Sequence, residues 1–285
     1  MTQIIDGGLS TELERIGASC DGPLWTGRTL LDTPQLIEEA HRHYVTAGAD
    51  VIITSSYQLS RQGFQHLGLT PDDADAALRL SVEVARRAVL GTSSLVAASI
   101  GPYGAILHDG SEYRGNYGLS YDALVRFHRE RIEILIEASP DILLAETIPD
   151  LDEARALTEV LDSADRPVWI SFTSLDGAHL PCGATIEEAL RTIENIPQLD
   201  VISFNCVQPE LVTQLVKRAQ AVTTLPIAIY ANMGGEWSVD GWKNQGTQKL
   251  SEWWREWEAL NLASIGGCCG TDSLQIADLN RVVNQ

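Results

Sequence analysis

The sequence predicts an α/β fold, a single (β/α)8 TIM barrel over residues 1–285. Three observations predict it: eight short apolar, β-branched runs, a helical stretch after each of them, and a length of 285 residues close to the ~250 typical of such barrels. The runs are "QIIDGG", "DVIITSSY", "LVAASIGP", "DILLAET", "PVWISFT", "DVISFNC", "PIAIYAN" and "ASIGGCC", each closing on a polar or glycine-bearing turn. The rival, an open doubly wound sheet, carries a GxGxxG phosphate turn after its first strand, and "DGGLSTELE" is not one.

The helices follow in order. After the first strand, "TPQLIEEAHRHYVTAG" repeats apolar residues at helical spacing, with Thr33 as the expected cap, Pro34 at the first helical position and Gly48 at the close. "PDDADAALRLSVEVARRAVLG" behaves likewise and closes at Gly91. "SYDALVRFHRERIEILIEA", "LDEARALTEVLDS", "TIEEALRTIEN", "PELVTQLVKRAQAV", "KLSEWWREWEAL" and "DSLQIADLNRVVN" supply the rest. No Pro/Ser-rich linker or charge block divides the chain, so one domain is expected. Two strand-to-helix connections, residues 102–120 and 232–249, exceed the usual 2 to 6 residues and leave the carboxyl ends of strands, where barrel enzymes place their sites. They are expected to cover a substrate.

Composition narrows the function. A formal charge of −19 disfavours nucleic acid, whose phosphates need clustered Lys and Arg. No apolar run approaches the ~18 residues that cross a bilayer, and strand-like residues begin at Gln3, so no membrane role and a cytoplasmic location are expected. Small-molecule substrates remain, and the sequence sets no oligomeric state.

Five cysteines, an odd number widely spread, are expected as reduced thiols. A Cys268–Cys269 disulfide would close a small strained ring. The barrel makes a geometric statement about the others, because the last residues of all eight strands converge on one rim. Cys206 ends the sixth strand and Cys268 and Cys269 end the eighth, so thiols 62 and 63 positions apart become neighbours. Three thiolates are soft ligands that suit zinc, and a fourth, open position makes such a site catalytic. Gly266, Gly267 and Gly270 give the backbone the freedom to turn two consecutive residues toward one ion. One cysteine at a strand end is ordinarily a small core residue; three at one rim point to metal. Cys20 and Cys182 lack that placement.

Histidines give no rival centre: His41, His43, His66, His108, His128 and His179 form no HExxH, and no GxSxG nucleophile elbow occurs. Asp6 and Glu146 also end strands. Singly each reads as a helix cap; together at a rim without a basic partner they suit a substrate ammonium. Tyr57, Tyr103, Tyr113 and Trp237 stand on rim segments where a cation could meet an aromatic face, though packing accounts for them equally. No catalytic side chain is assigned beyond the metal ligands.

"DGGLSTELE", "GADVIITSSYQ", "SIGPYGA" with "DGSEYRGNY", "AETIPD", "SFT", "NC" and "IGGCCGT", in this order, resemble the zinc-dependent homocysteine S-methyltransferases, and within them the S-methylmethionine-using branch. The resemblance covers essentially the whole chain. It implies a TIM-barrel enzyme with zinc on Cys206, Cys268 and Cys269, homocysteine as acceptor with its amino group held by Asp6 and Glu146, and S-methylmethionine as donor. S-adenosylmethionine is the other sulfonium donor to consider. A selenol acceptor, and a non-catalytic zinc–thiolate barrel that senses or stores metal or thiols, are the alternatives.

Overall fold

Alternation along the strands decides which side chains reach the barrel mouth. The computed structural model describes residues 2–285 except 21, 23, 234, 235, 239, 240 and 244–248, with the backbone alone for 236–238 and 241–243. In chain order the strands are β1 (Gln3–Ile4), β2 (Val51–Ile53), β3 (Leu95–Ile100), β4 (Ile142–Ile148), β5 (Val168–Phe172), β6 (Leu199–Asn205), β7 (Ile227–Ala231), β8 (Glu236–Ser238), β9 (Gly241–Lys243) and β10 (Ser264–Gly267). Eight of them form one parallel sheet in the order β1-β10-β7-β6-β5-β4-β3-β2. A bridge between Ile5 and Val51 closes it, with Asp50 N donating to Ile4 O at 2.7 Å and Asp6 N to Val51 O at 3.0 Å. These are the eight predicted strands, and the fold is the predicted barrel. The antiparallel pair β8–β9, with Glu236 opposite Lys243, stands in the segment expected to be a loop.

Eleven helices are seen among the described residues: α1 (Leu9–Arg15), α2 (Thr26–Asp32), α3 (Pro34–Thr46), α4 (Arg61–His66), α5 (Pro71–Ala88), α6 (Tyr121–Glu137), α7 (Leu151–Leu161), α8 (Ile186–Ile193), α9 (Val212–Gln220), α10 (Leu250–Trp257) and α11 (Ser273–Val283). The eight expected helices are α3 and α5 to α11. The extra α1, α2 and α4 are one to two turns long, too short for a periodic apolar face to announce them. They also correct one detail. Thr33 precedes α3 as expected, but α2 runs straight into it, and the Thr33 hydroxyl donates back to Thr29 O at 3.4 Å instead of capping α3. Gly48 and Gly91 do leave their helices with φ of 94° and 83°. No helix among the described residues is long and apolar enough to cross a membrane.

Two buried layers follow from the period-2 strands. Ile52, Val96, Leu143, Ile170, Phe204 and Ile229 pack outward beneath the helices. Ile5, Val51, Ala97, Leu144, Trp169, Val201, Ala228 and Tyr230 fill the barrel interior. Two residues further along three of the strands, Ala97, Leu144 and Trp169 give way to Ser99, Glu146 and Ser171, all buried. The interior therefore turns polar toward the carboxyl rim, where burial demands hydrogen-bonded partners.

Candidate metal centre

The cysteines reach the mouth through two irregular strand ends. At the end of β4 the pairing with β5 shifts between Ala145 and Ile148, and Thr147 has φ +60°. A β-branched residue is strained there unless its surroundings over-determine it. Asn205 does so: its Oδ1 accepts from Thr147 N at 2.8 Å and from Ser171 Oγ at 2.7 Å, and its Nδ2 donates to Thr147 Oγ1 at 2.8 Å. The next residue, Cys206, itself turns to φ +50°. One buried amide thus fixes both the bulge that carries Glu146 and the turn that carries Cys206.

The second irregular end follows β10. Cys268 N donates to Ala231 O at 2.8 Å and Met233 N to Cys269 O at 3.1 Å, which holds the two cysteines against the end of β7. The chain then reverses at Gly270, with φ +78°, so that Thr271 folds back over Gly267, where a Cβ would lie 2.2 Å from the Thr271 side chain. Tyr44 Oη donates to Gly8 O and Thr271 O, both at 3.0 Å, pinning the segment after β1 to the segment after β10.

The result is a group of three sulfurs, all within 4.8 Å of one another. Cys206 Sγ lies 2.8 Å from Cys268 Sγ and 3.9 Å from Cys269 Sγ. Tetrahedral bonds of ~2.3 Å put thiolates on one zinc about 3.8 Å apart, so the donor set fits such an ion by chemistry; the Cys206–Cys269 pair already has that span, and the Cys206–Cys268 pair opens by about 1 Å to take it. Without an ion, three thiolates at this spacing would repel. The thiols of Cys206 and Cys269 pull the Cys268 pKa well below its ordinary value, and the same contact with Cys268 pushes Cys206 well above. Tyr113 Oη is 3.7 Å from Cys206 Sγ and Asn205 Nδ2 is 4.0 Å from Cys268 Sγ, so weak donors face the cluster.

Both predicted carboxylates stand at the same mouth. Glu146 is 7% exposed and accepts from Ser99 Oγ and, at 3.2 Å, from Tyr230 Oη. Burial lifts its pKa to about 7, with the Cys268 charge adding to the rise and the two hydroxyls opposing it. Asp6 is 2% exposed; Oδ2 accepts from Ile53 N at 2.8 Å, and Oδ1 has no partner among the described residues. Burial raises its pKa strongly, and Glu146 and Cys268 push in the same direction. Two buried acids and a thiolate in one another's field form a site complementary to a cation.

The remaining candidates divide. Cys20 is buried in the outer core and Cys182 donates its N–H to Pro149 O, both away from the cluster. Tyr57 is half-buried beside Gly101, and Tyr113 faces Cys206. Tyr103 packs against Phe127 and Tyr117 at 5.0 and 5.4 Å and serves the loop instead. The Trp237 side chain, and most of 232–249, lie outside the described residues. Sequence reasoning missed Asn205, Thr147 and Glu153. Fully buried Glu153 accepts from Tyr103 N at 2.6 Å, His128 Nε2 at 2.9 Å and Tyr117 Oη at 3.0 Å, anchoring residues 102–120 over the mouth. The position of Asn205 immediately before a candidate ligand was the available signal.

A (β/α)8 barrel that gathers three thiols beside two buried carboxylates at its carboxyl rim defines a class, the barrel enzymes built around a metal–thiolate centre. Residues 3–283 match the family model for homocysteine S-methyltransferase. Homocysteine S-methyltransferase 1 of Brassica oleracea var. italica is 39% identical over 300 residues, covering 98% of this chain and 92% of that protein. Selenocysteine Se-methyltransferase of the same plant is 37% identical over 303 residues, covering 98% and 88%. The metallated form of the homocysteine methyltransferase MmuM from Escherichia coli superposes with a TM-score of 0.89 at 36% identity, covering 100% of this chain and 96% of its own. The chain belongs to the homocysteine S-methyltransferase family.

Proposed function

We propose that this chain transfers a methyl group from S-methylmethionine to the thiol of homocysteine, giving two molecules of methionine, with zinc held by Cys206, Cys268 and Cys269. The convergence of those three sulfurs within 4.8 Å carries the reading. A free alkyl thiol is only a few per cent ionised at neutral pH; zinc bound by three thiolates supplies deprotonation of the acceptor thiol and leaves the site anionic. The acceptor sulfur would attack the methyl carbon in line: a sulfur lone pair forms the new S–CH3 bond, and the electrons of the broken bond return to the donor sulfur, which leaves as a neutral thioether. No covalent enzyme intermediate is needed.

The chain's own residues align and shield. Asp6 Oδ1, buried and without a partner, and Glu146 receive the homocysteine ammonium, whose charge draws both acids into their ionised forms. The loop anchored by Glu153 closes water out of the mouth and keeps Tyr113 against the sulfur cluster. The test supplies zinc-loaded protein with homocysteine and either S-methylmethionine or S-adenosylmethionine and measures methionine, with Cys268→Ala as control. Two methionines per S-methylmethionine are expected, and methyl transfer unchanged in Cys268→Ala overturns the reading. A selenol acceptor is the second reading, favoured by the similarity to the Brassica selenocysteine Se-methyltransferase; the same assay with selenocysteine decides it.

A further inference from the structure

S-methylmethionine carries two cationic groups, a sulfonium and an α-ammonium, and Asp6 and Glu146 are already assigned to the acceptor. The loop over the mouth supplies another acid. Its 3-10 turn Ser111–Tyr113 places Tyr113 Oη 3.7 Å from Cys206 Sγ. The preceding residue, Glu112, is half-buried, and its Oε2 is shut off from solvent and accepts no hydrogen bond from any described residue.

Nearby cations do not answer it. Arg114 Nη1 donates to Asp109 O at 2.8 Å, and Nη2 to Asp109 Oδ2 at 3.1 Å and Ser111 Oγ at 2.9 Å, so its guanidinium makes hydrogen bonds to those groups and none to Glu112 Oε2. Nor is the turn free to back away. The absence of a side chain at Gly104 lets it pack so closely that a Cβ there would lie 2.4 Å from Glu112 N, and Asp150 Oδ2 holds Asn116 N at 2.7 Å. Burial raises the Tyr57 pKa and the charges of Glu112 and Cys206 both add to the rise, and Tyr113, in the same turn as Glu112, touches the sulfur cluster. A buried carboxylate oxygen without a donor is costly, and one held rigidly beside a reaction centre is a complement for a cationic hydrogen-bond donor.

We propose that Glu112 binds the α-ammonium of the methyl donor, so that the protein selects amino-acid sulfoniums over sulfoniums that lack the amino group. The inference rests on the methyl-transfer reading above. Zinc-loaded wild type and Glu112→Gln, with homocysteine present, are compared by calorimetric affinity and by kcat/KM for S-methylmethionine and for its desamino analogue, a dimethylsulfonium carboxylate. A charge-assisted hydrogen bond predicts a wild-type preference for the amino-bearing donor of roughly 10- to 100-fold, falling to within about twofold in Glu112→Gln, with homocysteine affinity unchanged. A preference that survives the substitution, or is absent from the wild type, overturns the proposal. The two measurements separate the claims: absent turnover with a binding preference that Glu112→Gln abolishes sinks the methyl-transfer reading and keeps Glu112 as an ammonium site. If Glu112→Gln fails to fold, Glu112→Asp, which withdraws the charge by one methylene, must weaken the amino-bearing ligand more than the desamino one; equal weakening overturns the proposal.

Discussion

Asn205→Ala tests whether the mouth is organised as described, because one side chain carries three contacts there. Removing it leaves Thr147 N, at present 2.8 Å from Oδ1, as a buried donor without an acceptor, while Ser171 Oγ, 2.7 Å from Oδ1, keeps Tyr230 as a partner. An orphaned buried donor costs about 1 to 3 kcal/mol, and the variant is expected to lose that much stability. For a chain of this size that is a fall in melting temperature of roughly 2 to 5 °C. The functional effect is separable from the stability effect. Asn205 anchors the main chain of Thr147 at φ +60°, so its loss is expected to swing Glu146 away from Ser99 and Tyr230 and to loosen the turn at Cys206. Homocysteine KM is expected to rise at least ~10-fold, since the acid lost from register is one of two proposed for the ammonium. Zinc affinity, read by chelator competition, should fall with it. The assay pairs calorimetric melting with initial rates well below the melting temperature. A variant that melts lower yet keeps homocysteine KM and zinc affinity within twofold would refute the link from Asn205 to the site and leave the amide a plain structural staple.

Two further outcomes follow from the buried charges and the sulfurs. In the metal-free fold Glu146 titrates at about 7, against 4.5 for an ordinary glutamate; between those values the folded state holds a proton that the unfolded chain has lost, so stability falls as pH rises through that window, by at most about 3 kcal/mol. Metal-free Glu146→Gln should therefore melt above the wild type at about pH 8 and match it near pH 4, and a constant difference across that range rules the assignment out. Metal removal by a chelator should abolish methyl transfer until zinc is returned; mild oxidation of the stripped protein should join the 2.8 Å Cys206–Cys268 pair, two thiols giving two electrons and two protons to the oxidant, and reduce the five titratable thiols to three. Five thiols remaining under those conditions would contradict the spacing.

The strands were legible because burial on both faces forces apolar runs, and Val51–Ile53 and Ile142–Ile148 are short, rich in branched apolar residues and bounded by polar turns. The convergence of Cys206 with Cys268 and Cys269 followed from topology alone, since a closed barrel brings every strand's carboxyl end to one rim. What remained illegible is local backbone geometry: nothing in "AETIPD" marks Thr147 for the left-handed region, because threonine disfavours it and the compensation comes from Asn205, 58 residues away. The same limit hid Glu112 and Glu153. A glutamate in "DGSEYRGNY" or at the start of a helix looks like a solvated acid until its burial is known. Function gathers in these gaps for a physical reason. Regular strands aim alternate side chains along fixed directions, and three sulfurs facing a common point require directions that a regular strand does not supply. The bulge at Thr147, the turn at Cys206 and the reversal at Gly270 supply them, each held by a hydrogen bond or close contact to another strand end. The centre is therefore a property of the closed barrel: a change that opens β1 from β2 or β10 should loosen the sulfurs before it unfolds the sheet.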